Sequence, residues 1–163
     1  MKVVSNTSPL TNLAVIGQFD LLRKLYCEIN IPDGVWDELN AFGKPWPGSK
    51  EVAEADWIHR HTVKNQLWVS TLRSDLDRGE SESIVLASEL EADMILLDEK
   101  EGRSAALRIK LKPLGVIGIL LEAKQKCLID IIRPHLDSLR QIAGFRISDP
   151  LYFHALTLAN EKN

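Results

Sequence analysis

Cysteine is scarce in this chain of 163 residues: Cys27 and Cys127 stand far apart and neither belongs to a Cys-x-x-Cys pair. That excludes a disulfide framework and a zinc knuckle. The two cysteines are expected to be buried apolar fillers in a cytoplasmic protein. No apolar run approaches the roughly 20 residues of a membrane span. The opening Met1-Lys2-Val3-Val4-Ser5-Asn6 reads as a strand and not as a leader peptide. An excess of positive charge is also missing: 20 Lys and Arg face 23 Asp and Glu, a net charge of −3. Bulk charge therefore cannot hold nucleic acid, and any such contact must come from a local patch. There is no repeat, low-complexity segment or linker. What is present is the balance of a globular protein, 45% apolar and 26% charged, in one domain long enough to bury a core.

The small net charge hides an asymmetry. Between Asp75 and Glu99 the acids are 75, 77, 80, 82, 89, 91, 93, 98 and 99, against Arg78 alone. Between Lys100 and Lys126 the bases are 100, 103, 108, 110, 112, 124 and 126, against Glu101 and Glu122. Two solvated helix faces of opposite sign would produce this pattern. So would an acidic site beside a basic rim, the arrangement that binds a divalent cation and a polyanion together.

Strand and helix signals alternate along the chain. Val3-Val4 is a short strand, followed by Ser8 as N-cap and Pro9 at the first helical position. Leu10, Leu13, Ala14 and Ile16 keep helical spacing until Gly17. A second short helix spans Phe19 to Leu25. Ile29 and Ile31 alternate as a strand, and a helix follows over Gly34–Leu39. Gly43 to Gly48 is a loop, and Trp57-Ile58-His59 and Leu67-Trp68-Val69 are strand candidates. Ile84, Leu86, Ala87 and Leu90 mark an amphipathic helix after Gly79. Met94 to Leu97 is a continuous apolar run, as in a strand buried on both faces. A helix at 105–109, a strand at Pro113-Leu114, an apolar helix from Val116 and a last helical pair near 131–142 and 149–160 complete the pattern. Alternation of this kind predicts a parallel sheet with helices on both faces, an α/β fold.

In such sheets ligands sit beyond the carboxyl ends of the strands. Two strands end on oxygen-bearing side chains, Asn6 and Asp98-Glu99, and Glu38 and Glu82 lie on helices beside apolar residues. Clustered carboxylates repel unless a cation holds them. Oxygen ligands suit magnesium or manganese rather than zinc, and such an ion polarises a phosphoryl oxygen and activates water.

Val4-Ser5-Asn6-Thr7-Ser8-Pro9-Leu10 resembles the opening strand-turn-helix of a PIN domain, usually written with Asp where this chain has Asn6. Ile31-Pro32-Asp33-Gly34-Val35-Trp36-Asp37-Glu38-Leu39 is similar to the second PIN motif, a proline-led helix carrying Glu. Gly79-Glu80-Ser81-Glu82-Ser83-Ile84-Val85-Leu86-Ala87 resembles the third, and Ile95-Leu96-Leu97-Asp98-Glu99 the fourth. The four occur in order over residues 1–125, leaving 126–163 as a C-terminal helical extension of one PIN-like domain. The later Val116, Gly118, Leu120, Leu121, Ala123 and Lys124 point to a prokaryotic branch related to VapC-type toxins.

The resemblance implies a three-layer α/β/α fold and a Mg2+ or Mn2+ site that hydrolyses RNA phosphodiesters. It implies frequent homodimers and, for toxins, a cognate antitoxin. Carried over, Glu38, Glu82 and Asp98 are the metal carboxylates, Asn6 the amide substitute and Ser8 a nearby hydroxyl. Glu80 and Glu99 are the alternatives one register away. Asn6 ligates without charge and cannot act as a general base. That keeps open a second reading, a catalytically weak module that binds RNA or a protein. Lys100, Arg103, Arg108 and Lys110 follow the fourth motif and are expected to contact phosphate.

Other residues carry less. His59 and His61 share a face if their segment is a strand, but nothing nearby completes a metal site. Asp75-x-Asp77-x-Gly79-x-x-Glu82 has its glycine one place early for a calcium loop. Trp36 is expected in the core. Trp46, between prolines, is expected at the surface, where with the apolar segment 10–25 it suits a dimer interface.

Overall fold

The computed structural model describes residues 1–40 and 46–162; the expected loop at 43–48 falls partly outside them. Five short strands, β1 (Val3–Ser5), β2 (Ile29–Pro32), β3 (Ile58–His61), β4 (Met94–Leu96) and β5 (Pro113–Leu114), form one sheet in the order β3-β2-β1-β4-β5. Every neighbouring pair is parallel. Side chains alternate across the two central strands. Val3, Met94 and Leu96 belong to one apolar cluster, and Val4, Ile95 and Leu97 to another. A strand with both faces covered reads as an unbroken apolar run, which explains Met94–Leu97.

Helices cover both faces. On the first lie α1 (Thr7–Val15), α2 (Leu21–Tyr26), α3 (Asp33–Leu39) and α4 (Ser49–Glu54), with α8 (Val116–Gln125), α9 (Arg133–Gln141) and α10 (Asp149–Leu158). On the second lie α5 (Gln66–Leu72), α6 (Arg78–Glu89) and α7 (Lys100–Arg108). The architecture is three-layer α/β/α. The extension after residue 125 is part of it: Leu136, Leu139, Tyr152, Ala155 and Leu156 lie in the first cluster. No helix among the described residues is long and apolar enough to cross a membrane.

Four local expectations are corrected. Leu67-Trp68-Val69 is helical, inside α5, because Asn65 caps it by accepting from the Trp68 N–H. The first helix starts at Thr7 with Asn6 as N-cap, and Ser8 is free for other work. Both cysteines are exposed, each at a helix end with positive φ, 67° at Cys27 and 60° at Cys127. Trp36 packs against the first apolar cluster but is only half-buried, with the Arg60 guanidinium 5.1 Å from its ring centroid. The apolar residues of segment 10–25 (Leu10, Leu13, Leu21, Leu22 and Leu25) are buried within the chain, whereas Trp46 is 51% exposed.

Candidate functional site

Strand order dictates where a site forms. From β1 the chain moves to β2 and β3 on one side and later to β4 and β5 on the other. Between β1 and β4 the connections diverge, leaving a crevice at their carboxyl ends. Ser5 is in register with Leu96, and the Asn6 N–H donates to the Leu96 carbonyl at 3.0 Å. The residues just beyond, Asn6 and Asp98, therefore flank the crevice. The α3 and α6 helices bring Glu38 and Glu80 to it, and a pocket of about 600 Å³ opens there.

Four carboxylates, Glu38, Asp77, Glu80 and Glu99, line this pocket, and no Lys or Arg does among the described residues. Asn6 sits at its floor, 4% exposed. An asparagine at an N-cap ordinarily spends its side-chain oxygen on a first-turn N–H. Asn6 does not: its Oδ1 is buried and has no partner among the described residues. An orphaned buried acceptor costs about 1–3 kcal/mol, so its survival points to a ligand. Glu38 is beside it. A Cβ built on Gly79 would lie 2.3 Å from Glu38 Oε1 and 3.2 Å from Asn6 Oδ1, so both oxygens converge on the space that glycine leaves.

Each acid has a distinct setting. Glu38 accepts from the Thr7 hydroxyl at 2.6 Å and the Gly79 N–H at 3.2 Å; burial pushes its pKa up, and the Thr7 bond offsets part of that. Glu80 is pushed up to about 8, by burial first and then by hydrogen bonding and repulsion from Asp77. Asp98 accepts from the Ser8 hydroxyl at 3.0 Å and the Val116 N–H at 2.8 Å, and burial raises its pKa as well. Asn12 donates to the Ser8 oxygen at 3.0 Å, which orients that hydroxyl.

The residues singled out from sequence divide. Asn6, Ser8, Glu38, Glu80 and Glu99 line the pocket, and Asp98 adjoins it through Ser8. Glu82 faces elsewhere. Its carboxylate accepts from the Gly34 N–H at 2.9 Å and Arg78 Nε at 2.7 Å, pinning α3 to α6. Two residues along a helix turn a side chain by about 200°, so Glu80 and Glu82 cannot share a face. Of the four cations, Arg103 lies beside Asp98. Lys100 and Arg108 line a separate groove against the end of α5. Lys110 is exposed past the far end of α7.

Read from sequence, Thr7 has no role and Asp77 figures only in the acidic run and a rejected calcium-loop pattern, not as a residue of the site. Asp77-x-x-Glu80 has the spacing of a capping box, and Asp77 does cap α6, accepting from the Glu80 N–H at 2.8 Å. That pattern was the available signal.

Among the described residues no three His, Cys, Asp or Glu side chains converge as a ready-made metal cage. Magnesium does not require one: it keeps several waters and binds through one or two carboxylates plus substrate phosphate. The orphaned Asn6 amide oxygen, the Glu38 carboxylate beside it and the oxygen-rich lining of acids, hydroxyls and amides fit such an ion.

A family model described as a PIN domain matches residues 2–161. The chain belongs to the PIN-domain family. No curated protein matches it. The PIN fold is a nuclease-type fold, and in this PIN domain the match runs through α9 and α10, so those helices belong to the family's own boundaries.

Proposed function

We propose that this PIN domain is a magnesium- or manganese-dependent ribonuclease that hydrolyses RNA phosphodiester bonds in the cytoplasm. The reading extends to a toxin held in check by a cognate antitoxin, and to a homodimer in which Trp46 is the surface offered for pairing. The observation that carries the nuclease reading is the orphaned Oδ1 of Asn6 facing Glu38 in a pocket lined by carboxylates.

Asn6 and Glu38 would hold the ion, with Glu80 across the pocket and Asp98 behind Ser8. A cation there would polarise a phosphoryl oxygen and lower the pKa of water. The chain's own residues do the rest. Thr7 and the Gly79 N–H fix the Glu38 carboxylate, and Asn12 and Asp98 fix Ser8. Glu80, protonated at neutral pH when no cation is near, takes up a proton-accepting role once it ionises. Glu82 stays out of the chemistry and holds α3 against α6.

The test is cleavage of a labelled single-stranded RNA with magnesium or manganese, wild type beside Glu38→Gln. Metal-dependent cutting that the substitution abolishes supports the reading; no cutting with either metal removes it. A second reading, a module that binds RNA or a protein without cutting, draws on one observation: Asn6 places a neutral amide where the family pattern has a carboxylate. It predicts RNA binding by wild type with no cleavage under any metal.

A further inference from the structure

The acidic pocket has a neighbour that the proposed chemistry leaves unused. A groove of about 340 Å³ runs between α8 and α10, from Asp98 and Arg103 at one end to Arg146 and His154. Only one pair of side chains separates it from the pocket. The Ser8 hydroxyl, which lines the pocket, donates at 3.0 Å to Asp98, which lines the groove.

The charge changes sign across that pair. Among the described residues the pocket holds carboxylates and no Lys or Arg, whereas the groove holds two arginines and a histidine against Asp98 alone. Arg103 and Arg146 are exposed. Among the described residues neither enters an ion pair or a side-chain hydrogen bond, unlike Arg60, Arg78 and Arg140. The floor at Gly115 is bare backbone: a Cβ there would lie 2.8 Å from Asp98 Oδ1 and 2.9 Å from Arg103 Nη1. The walls include the rings of Phe145 and His154.

We infer that this groove is a track for single-stranded RNA, carrying the strand away from the acidic pocket. The inference deepens the nuclease reading and rests on it for the strand's direction. Arg103 and Arg146 contact phosphates, which holds a backbone without reading sequence. The exposed His154 and the part of Phe145 not packed on the core are the aromatic surfaces available to unpaired bases, and single strands are held by this combination of cations and aromatic rings. The apolar parts of the walls would also admit a helix from a protein. Two exposed guanidiniums, of which only Arg103 faces a carboxylate, at Asp98, and direct continuity with the pocket favour the polyanion.

The experiment is fluorescence anisotropy of a 12-nucleotide single-stranded RNA, with calcium in place of magnesium, across a range of salt. Arg103→Ala and Arg146→Ala should each weaken binding about tenfold at low salt and lower the slope of log affinity against log salt by about 0.7, the share of one single-strand phosphate. Arg146→Lys should restore most of that slope. Residue 146 is exposed outside any helix or strand, so Arg146→Glu is a second variant with little risk to folding. Wild-type affinity and slope in both Arg146→Ala and Arg146→Glu would overturn the track. Equal, Arg146-dependent affinity for a duplex would overturn the single-strand assignment. Unchanged RNA binding together with an altered oligomeric state in Leu158→Asp would assign the groove to a second copy of the chain. The two readings fail separately. Arg146-dependent binding without cleavage in any metal keeps the track and removes the nuclease; cleavage with Arg146→Glu binding as wild type does the reverse.

Discussion

Asn6 carries a buried oxygen with no hydrogen-bond partner among the described residues, next to a carboxylate whose own charge is disfavoured by burial. Restoring the family's acid with Asn6→Asp adds one negative charge at that point. Attraction between unit charges about 4 Å apart is roughly 1 kcal/mol in water and several-fold more in a drier pocket. Manganese affinity should rise about tenfold or more by isothermal titration, and metal-free thermal stability should fall as a further carboxylate joins the cluster. No gain in affinity would mean that residue 6 does not face the ion. Gly79 is the other sensitive residue. The methyl of Gly79→Ala would sit 2.3 Å from Glu38 Oε1 and must displace that carboxylate. Gly79→Ala should therefore keep its helical circular dichroism while losing most of its metal affinity and cleavage. Wild-type metal binding in that variant would place the ion away from Glu38.

At the level of elements, α3 and α6 act as one unit because Glu82 joins them. Its 4% exposed carboxylate closes on the first turn of α3 and on Arg78, which also reaches Asp37 at 2.8 Å. Hydrogen bonds to a charged group are worth about 1.5–3 kcal/mol. Glu82→Ala should lower unfolding stability by about that much in urea titration, and metal affinity should drop less than it does in Glu38→Ala. The reverse ranking would put Glu82 at the ion. The same helix shows where the sequence stops being readable. From Gly79 to Ala87 every residue of α6 is buried, so no polar face marks which acid turns toward the crevice. Strand ends were easier: Asn6 and Asp98 follow short apolar segments that lead into turn or helix-start signals, which fits buried strands in an alternating α/β chain. Leu67-Trp68-Val69 misled because three apolar residues fit either period, and the deciding signal, the Asn65 cap, lies outside the run. Cys27 and Cys127 defied their usual burial because each sits where a helix ends in a left-handed turn at the surface.

Over the whole molecule the raised acids govern pH dependence. Glu80 has its pKa raised from 4.5 to about 8, so the folded metal-free chain keeps a proton that the unfolded chain has released. Stability from this group is fully present below pH 4.5 or so and is lost as pH climbs through about 8; Glu38 and Asp98, also raised, act in the same direction. Asp33, lowered chiefly by its hydrogen bond from Arg60, acts oppositely at more acid pH. Metal-free thermal midpoints should therefore peak near pH 5 and decline toward pH 8, and manganese should flatten that decline by supplying the missing countercharge. A midpoint that rises from pH 5 to 8 without metal would contradict the placement of Glu80.

The strand order has one further consequence, in time rather than space. The central strand β1 is made almost first, yet its partner β4 comes some 90 residues later, the separation that the Ser8–Asp98 bond also spans. Such distant pairing is slow, because a long loop must close before any contact rewards it. Until it closes, Glu38, the Asp77–Glu80 pair and Glu99 belong to separate stretches of chain and do not repel one another across the crevice. A growing or refolding chain thus meets the repulsion between these stretches only when β1 and β4 pair, and the pairing that gathers the acids also builds the crevice that holds them.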